Sequence, residues 1–149
     1  MEMKKILCAV DLQDKINPAV EYTKMFAEVT DASIVLIYVI SSRSTYENLQ
    51  IPVEEIVKGM RAIWGRSREE MDAFAKAHFP GKEVQTLIYE GRPAEKIVET
   101  AKELGADMIV MGTHGREGLD RLFFGSVANE VVKTAECPVL TIRPHKQEA

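Results

Sequence analysis

Three glycines and a serine in the last third of the chain have the spacing of a phosphate-binding loop. Two residues separate Gly112 from Gly115, nine separate Gly115 from Gly125, and Ser126 follows directly. Glycine lets backbone N–H groups approach phosphate oxygens without a Cβ in the way, and a helix N-terminus adds unpaired N–H donors and a partial positive charge. The Ser126 hydroxyl would add one more donor. The pattern therefore predicts a site for a phosphate-bearing ligand.

The residues on either side of this motif favour that interpretation over a chance arrangement of glycines. The chain has nine glycines, so an isolated pair could simply end one strand and begin one helix. Here the apolar run 108–111 precedes the motif, and the helix-like stretch 127–135 follows it. Gly112 is therefore expected at a strand end, and a helix is expected to begin at Ser126.

Several residues outside the glycine positions could complete such a site. Asp11 ends the first apolar run, where a carboxylate could accept hydrogen bonds from a ribose or meet a nucleotide-bound Mg²⁺, and Asp14 is then expected to cap the following helix. The Arg116 guanidinium could donate two parallel hydrogen bonds to phosphate oxygens, although the surrounding charges also fit a solvated loop. His114 is expected to contribute its backbone rather than its ring. Val39 could offer backbone groups and an apolar wall to a base, or it could simply fill the core.

No catalytic and no metal-ligating pattern is visible in the sequence. Neither a G-x-S-x-G elbow nor a phosphate loop with an invariant lysine is present. The two cysteines and three histidines are scattered without the spacing of metal ligands. Cys8 lies inside an apolar run and Cys137 precedes Pro138, so both are interpreted as small core residues. We therefore predict no catalytic residue and no metal held by the protein alone.

Composition limits the classes of partner. The 149 residues are expected to form one domain over 1–149, which would bury ~70% of its unfolded surface. The formal charge of −4 provides no basic field for nucleic acid. The N-terminal residues contain no secretory apolar region, and no apolar stretch reaches the roughly 18 residues of a membrane span. A cytoplasmic protein without nucleic-acid or membrane partners is therefore expected.

Apolar runs alternate with helical patterns along the chain. Strands are expected at 6–10, 34–40, 84–88, 108–111 and 139–142. Four helices are expected between them, the third beginning at Pro93 and stopping at Gly105. This alternation predicts an α/β, Rossmann-like fold, with an open five-stranded parallel sheet in the order 3-2-1-4-5 and helices on both faces. In that order strands 1 and 4 flank the point where strand order reverses, which places Asp11 opposite Gly112.

Taken together, these segments resemble the universal stress protein family over about residues 4–143. The resemblance rests on Asp11, on Glu90-Gly91-Arg92-Pro93-Ala94, on Ala106-Asp107-Met108-Ile109-Val110-Met111-Gly112, on the glycine motif and on Cys137-Pro138-Val139-Leu140. The complete glycine motif marks the ATP-binding branch of that family. One departure is Gln13, which stands where many relatives carry a serine, so no hydroxyl contact is expected from that turn.

The resemblance implies roles for particular residues. It implies that Ala9 and Asp11 line the adenosine end of the site and that Val39 contacts adenine. It further implies that the ribose and phosphates are held by Met111, Gly112, His114, Gly115, Gly125, Ser126 and Val127. It also implies a cytoplasmic homodimer that is joined through the last strand.

The position of the last strand leads to the same dimer. In the expected order Val139, Leu140, Thr141 and Ile142 form an edge strand, and an exposed apolar edge must be covered. Two-fold pairing with a second copy would cover it. Alternatively, the tail 144–149, or Phe123 and Phe124, would shield this edge within a monomer.

The function expected from the sequence is that of an ATP-binding, stress-response regulatory dimer. ATP, with Mg²⁺, would change the conformation of residues 113–124 and so alter the binding of a protein partner. Two alternatives remain open at this point. One is an enzyme that slowly hydrolyses ATP or transfers a phosphoryl group, with water or Ser126 as acceptor. The other is a dimeric scaffold that holds no nucleotide.

Overall fold

A computed structural model describes residues 1–12, 17–41, 51–113 and 125–143 of the chain. Strands and helices alternate along these residues. The strands are β1 (Lys5–Ala9), β2 (Ser33–Ser41), β3 (Gln85–Gly91), β4 (Met108–Gly112) and β5 (Val139–Ile142). The helices are α1 (Pro18–Thr30), α2 (Val53–His78), α3 (Pro93–Leu104) and α4 (Ser126–Thr134). Within these ranges no helix is both long enough and apolar enough to cross a membrane.

The five strands form one parallel sheet in the order β3-β2-β1-β4-β5, which confirms the predicted topology. β1 lies at the centre, with Cys8 paired to Leu36 of β2 on one side and to Val110 of β4 on the other. Strand order reverses between β1 and β4, so a crevice is expected where these two strands end.

Alternation along the strands produces two separate cores. Ile6 and Cys8 face the layer of α1 and α2, where they pack with Val20 and Met71. Leu7 points to the opposite face and packs in the cluster that α3 and α4 contribute to. Because β1 and β4 are covered on both faces, most of their side chains are buried, as continuous apolar runs predict.

The third helix has the predicted bounds. Pro93 occupies its first turn, where a missing N–H costs no intrahelical hydrogen bond. Gly105 follows the last residue with φ of 62° and donates its N–H to the carbonyls of Ala101 and Lys102. This left-handed conformation strains a side chain bearing a Cβ, so a glycine here ends the helix sharply.

Other boundaries differ from the prediction. β1 ends at Ala9, so Asp11 follows the strand by two residues and does not end it. β3 runs to Gly91, beyond the predicted end at Ile88, because its pairing with β2 continues to Ser41 opposite Gly91. α1 begins at Pro18 with Asn17 in the N-cap position, whereas Asp14, the predicted cap, lies outside the described residues.

One side chain ties β1 to the start of β4 at the amino ends of the strands. The Asp107 carboxylate accepts hydrogen bonds from the N–H groups of Lys4 and Lys5, at 2.8 and 2.9 Å. The Asp107 N–H donates to the Lys5 carbonyl at 2.8 Å. These backbone donors, that of Lys4 first, hold the pKa of Asp107 below its ordinary 3.8. We call this group of three hydrogen bonds the Asp107 clamp.

We expect Asp107→Asn to destabilise the fold at neutral pH and to have little effect in acid. A carboxyl whose pKa is lowered by folding stabilises the folded state above its ordinary value of 3.8, and this contribution is lost as the pH falls through the lower folded value. Urea unfolding of the wild type and the variant over a pH series measures the difference between their midpoint urea concentrations. This difference should disappear as the pH falls below 3.8. Asp72→Asn, at an exposed position of α2, is the matched control. Equal midpoints for both variants at neutral pH would contradict the role of the clamp.

Candidate functional site

The structure brings Asp11 and Gly112 to the same edge of the sheet. β1 and β4 are adjacent and parallel, with Ile6 opposite Met108 and Cys8 opposite Val110. The two strands therefore end side by side at the carboxyl edge of the sheet. Ligands of open α/β sheets bind at such a position, outside the strands where the order reverses.

Thr113 joins the two halves of the glycine motif. Its N–H donates to the Ile142 carbonyl at 3.0 Å, and its own carbonyl accepts the N–H of Gly125 at 2.8 Å. Thr113 is 3% exposed, so water does not compete for these bonds. We call the pair of bonds the Thr113 clasp. It holds the end of β4 against the start of α4, although the intervening residues 114–124 separate them in sequence.

The start of α4 offers backbone donors at this edge. Gly125 occupies the N-cap position with φ of −60° and ψ of 154°, and as a glycine it has no side chain that could cap the helix. The Gly125 carbonyl accepts the first intrahelical bond, from Asn129 at 2.9 Å. The N–H groups of Ser126 and Val127 precede the first intrahelical donor, so they are available to an anion. Since φ is negative, the backbone conformation at this position does not itself require a glycine.

The Ser126 side chain is placed to contribute to such a site. It is exposed at the first turn of α4, where the helix is predicted and observed to begin. Its hydroxyl forms no hydrogen bond with any other residue that the structure describes. A bound phosphate would therefore not have to displace an existing partner within that part of the chain.

Asn17 fixes the turn that carries Asp11, and the sequence interpretation missed it. The Asp11 N–H donates to Asn17 Oδ1, and Asn17 Nδ2 donates back to the Asp11 carbonyl, both at 3.3 Å. The Asn17 side chain thus holds the chain after β1 rather than capping α1. An asparagine directly before Pro18 is the signal that could have located this N-cap.

The apolar site residues share one face of the sheet. Ala9, Val39 and Val127 are half-buried and pack against the cluster beneath α3 and α4, to which the buried Met111 belongs. Val39 pairs with Tyr89 near the carboxyl end of β2. Together these side chains form an apolar wall next to the polar end of β4, which suits a ligand with one apolar and one charged part.

Three of the predicted site residues, His114, Gly115 and Arg116, lie outside the described residues. Among the residues that are described, no group of three or more histidine, cysteine, aspartate or glutamate side chains could hold a metal ion.

A concavity of about 180 Å³ lies at the opposite, amino end of the sheet, between the ends of α3 and α4. Lys102, Gly105, Glu136 and Cys137 contribute to its lining. Lys102 forms an ion pair with Glu136 at 3.2 Å, so its charge is already compensated. We place the candidate site at the carboxyl edge, where several donors converge, and not in this groove.

The two thiols occupy different environments. Burial raises the pKa of Cys8 to about 12, against a weaker opposing hydrogen bond with Thr23. Cys137 is half-buried, and partial burial raises the pKa of its thiol above the ordinary 9.0. The interpretation of both as core residues is confirmed for Cys8 and holds only in part for Cys137.

Known proteins share this architecture over nearly the whole chain. The family model described as the universal stress protein family matches residues 2–143. The universal stress protein MJ0531 of Methanocaldococcus jannaschii is 37% identical over 149 residues, which cover 97% of this chain and 85% of that protein.

Solved structures extend the similarity to the backbone. The structure of MJ0577, from the same organism, has a TM-score of 0.83 at 28% identity and covers 99% of this chain and 100% of its own. A universal stress protein from Archaeoglobus fulgidus, solved in complex with dAMP, has a TM-score of 0.60 at 23% identity, covering 95% of this chain and 99% of its own. The latter likeness concerns the fold.

We expect Cys137 to react with iodoacetamide much faster than Cys8 in the folded protein. The thiolate is the reactive form, and burial both raises the pKa of Cys8 to about 12 and blocks access to it. Mass spectrometry of peptides during alkylation gives the two rates, and the rate at Cys137 should increase as the pH rises towards its raised pKa. In urea the two rates should converge. Equal rates in the native protein would contradict the buried position of Cys8.

Proposed function

We propose that this chain, which belongs to the universal stress protein family, is an adenine-nucleotide-binding regulatory protein. ATP with Mg²⁺ is the ligand that we propose for the carboxyl edge of the sheet. The observation that carries the proposal is the Thr113 clasp, which holds Gly112 and the start of α4 together next to the end of β1.

The charged and apolar parts of the site suit the two ends of a nucleotide. Backbone N–H groups at the start of α4 and the Ser126 hydroxyl would bind phosphate oxygens, because a helix N-terminus favours negative charge. The apolar wall of Ala9, Val39, Met111 and Val127 would receive the adenine ring. His114, Gly115 and Arg116 complete the proposed phosphate site.

Asp11 is the residue that we propose for the ribose hydroxyls or for the Mg²⁺ that accompanies the phosphates. Its backbone is fixed by Asn17, so its side chain starts from a defined position at the end of β1. We propose that the ion arrives with the nucleotide and is held largely by phosphate oxygens, as Mg²⁺ commonly is in nucleotide sites.

The ligands of related proteins support an adenine nucleotide. The Archaeoglobus fulgidus structure is a complex with dAMP, and another universal stress protein of this fold was solved in complex with cAMP at 21% identity. Each of these ligands combines an adenine ring with a phosphate, the two groups that the apolar wall and the start of α4 would receive here.

The place of the clasp supports a regulatory role, which we propose for this protein. Residues 113–124 begin at Thr113 and lead to the start of α4, the proposed phosphate site. A nucleotide bound to both ends would change the preferred arrangement of this segment, and we propose that a protein partner responds to that change. A ligand shifts such an equilibrium only by its difference in affinity for the two states.

The proposed assembly is a cytoplasmic homodimer through β5. This strand lies at the edge of the sheet. The Pro138 carbonyl accepts the N–H of Ile109 in β4, and the Ile142 carbonyl accepts the N–H of Thr113, directly after β4. Because backbone groups alternate in direction along a strand, Leu140 also bonds towards β4, whereas Val139 and Thr141 direct their N–H and C=O groups outward. Val139 and Thr141 would therefore make the backbone hydrogen bonds to the second copy, with Leu140 and Ile142 as neighbours in the interface.

Ser126→Ala should weaken the binding of ATP while leaving the melting temperature unchanged. Loss of a hydrogen bond to a charged group costs ~1.5–3 kcal/mol, which corresponds to roughly ten- to a hundredfold in affinity. Isothermal titration calorimetry with ATP and Mg²⁺ measures this, and heat of binding to the wild type is itself the test of the proposed function.

Thr134→Ala is the control, because Thr134 is an exposed hydroxyl residue at the far end of the same helix. It should bind ATP like the wild type. If Ser126→Ala lowers the melting temperature and leaves the affinity unchanged, then Ser126 stabilises the helix and does not bind the ligand.

Thr141→Pro should yield a folded monomer if β5 forms the dimer. Proline removes the outward N–H of Thr141, which we assign to the interface, and leaves the inward bonds to β4 in place. Leu140→Pro is the comparison, because it removes an inward N–H and should destabilise the sheet itself. Light scattering and circular dichroism separate the two effects. A wild-type protein that is monomeric at micromolar concentration would exclude the dimer.

A further inference from the structure

An exposed ion pair links α3 to α4 near the candidate site. Arg92 is the N-cap residue of α3, and its Nη2 lies 3.7 Å from Oε1 of Glu130 in α4. The Arg92 and Glu130 side chains are 73% and 45% exposed. α3 and α4 pack against each other, and both begin at the carboxyl edge of the sheet. Arg92 therefore brings an exposed positive charge to the edge where Gly112 and the start of α4 lie.

Glu130 stands one helical turn after Ser126. Residues four apart in a helix lie on the same side, about 5–6 Å from each other. Glu130 is the one acidic residue in the sequence of α4, and the first turn of the helix has none. The guanidinium that pairs with Glu130 is thus about one turn away from the hydroxyl that we assign to the phosphates.

Glu130, which now pairs with Arg92, would compete only weakly with a nucleotide phosphate for the guanidinium. A long, largely exposed ion pair contributes little, because water and salt screen it and two side chains must be held in one geometry. A nucleotide polyphosphate carries more charge than one carboxylate and accepts two parallel N–H bonds from a guanidinium. Conversely, Glu130 without Arg92 would place an uncompensated negative charge near the phosphates.

We propose that Arg92 binds the nucleotide phosphates and gives up Glu130 when it does so. This inference rests on the proposed function of the site. It makes Arg92 a determinant of specificity, because phosphorylated adenine nucleotides gain this contact and adenosine does not. Nucleotide binding would also change the protein surface, because it would separate the Arg92 and Glu130 side chains that now link α3 to α4.

The chain contains a matched ion pair for comparison. Lys102 of α3 pairs with Glu136, just beyond the end of α4, at 3.2 Å. Lys102 is about as exposed as Arg92, whereas Glu136 is more exposed than Glu130, at 71% against 45%. This pair lies at the opposite end of the two helices, away from the glycine motif. A purely structural contribution should therefore look alike for both pairs, whereas a ligand contact should affect the first alone.

Calorimetric titration of Arg92→Gln, Glu130→Gln and Lys102→Gln with ATP and with adenosine tests the proposal. We expect Arg92→Gln to weaken ATP binding about tenfold, as for a lost charge-assisted contact. Glu130→Gln should strengthen ATP binding, because it removes both the competitor and the repulsion. Both variants should bind adenosine like the wild type, and Lys102→Gln should match the wild type for both ligands. The effect of Arg92→Gln should shrink as the salt concentration rises.

The outcomes separate this inference from the function on which it rests. If the wild type binds no ATP, both are overturned. If it binds ATP and Arg92→Gln binds equally well, Arg92 has no ligand role and the proposed function stands. Glu130→Gln is an independent test, because its affinity for ATP is expected to increase where that of Arg92→Gln decreases. Weaker ATP binding by Glu130→Gln would therefore also overturn the proposal. Melting temperatures of all variants show whether a change in affinity reflects the site or the fold.

Discussion

The hydrogen bond from the Gly125 N–H to the Thr113 carbonyl is the constraint on which the carboxyl edge of this molecule depends. It closes the connection between β4 and α4 at its base, and the Thr113 N–H ties the same residue to β5. The end of β4, the start of α4 and the end of β5 are thereby fixed relative to one another.

The electrostatics of the chain explain why backbone donors matter here. The protein carries a formal charge of −4, so no broad positive field attracts an anion. A phosphate site must instead be local, built from the N–H groups of a helix start and a few cations. Arg92, which forms an exposed ion pair with Glu130 at this edge, is the cation that we propose for that role.

The amino and carboxyl edges of the sheet, where the strands begin and end, differ in their contacts. At the amino edge, the Asp107 clamp and the left-handed Gly105 close short connections tightly, and the contacts made there stabilise the fold. At the carboxyl edge, the polar residues Arg92 and Ser126 are exposed, and Asp11 is partly exposed. Strand direction imposes this division, because every strand of a parallel sheet leads from the first edge to the second.

The sequence alone determined the strand order, the bounds of α3 and the start of α4, because apolar periodicity, proline and glycine act locally and pointed to the same elements. It also placed Asp11 near Gly112, since strand order fixes which ends are neighbours. Only the tertiary structure decided that Asn17 holds the Asp11 turn, that β3 pairs with β2 up to Gly91, and that Leu140 bonds inward while Thr141 faces out. It alone revealed the Thr113 clasp and the approach of Arg92 to Glu130. These features depend on register and on contacts between segments far apart in the chain, and no local propensity encodes which backbone group or side chain meets which.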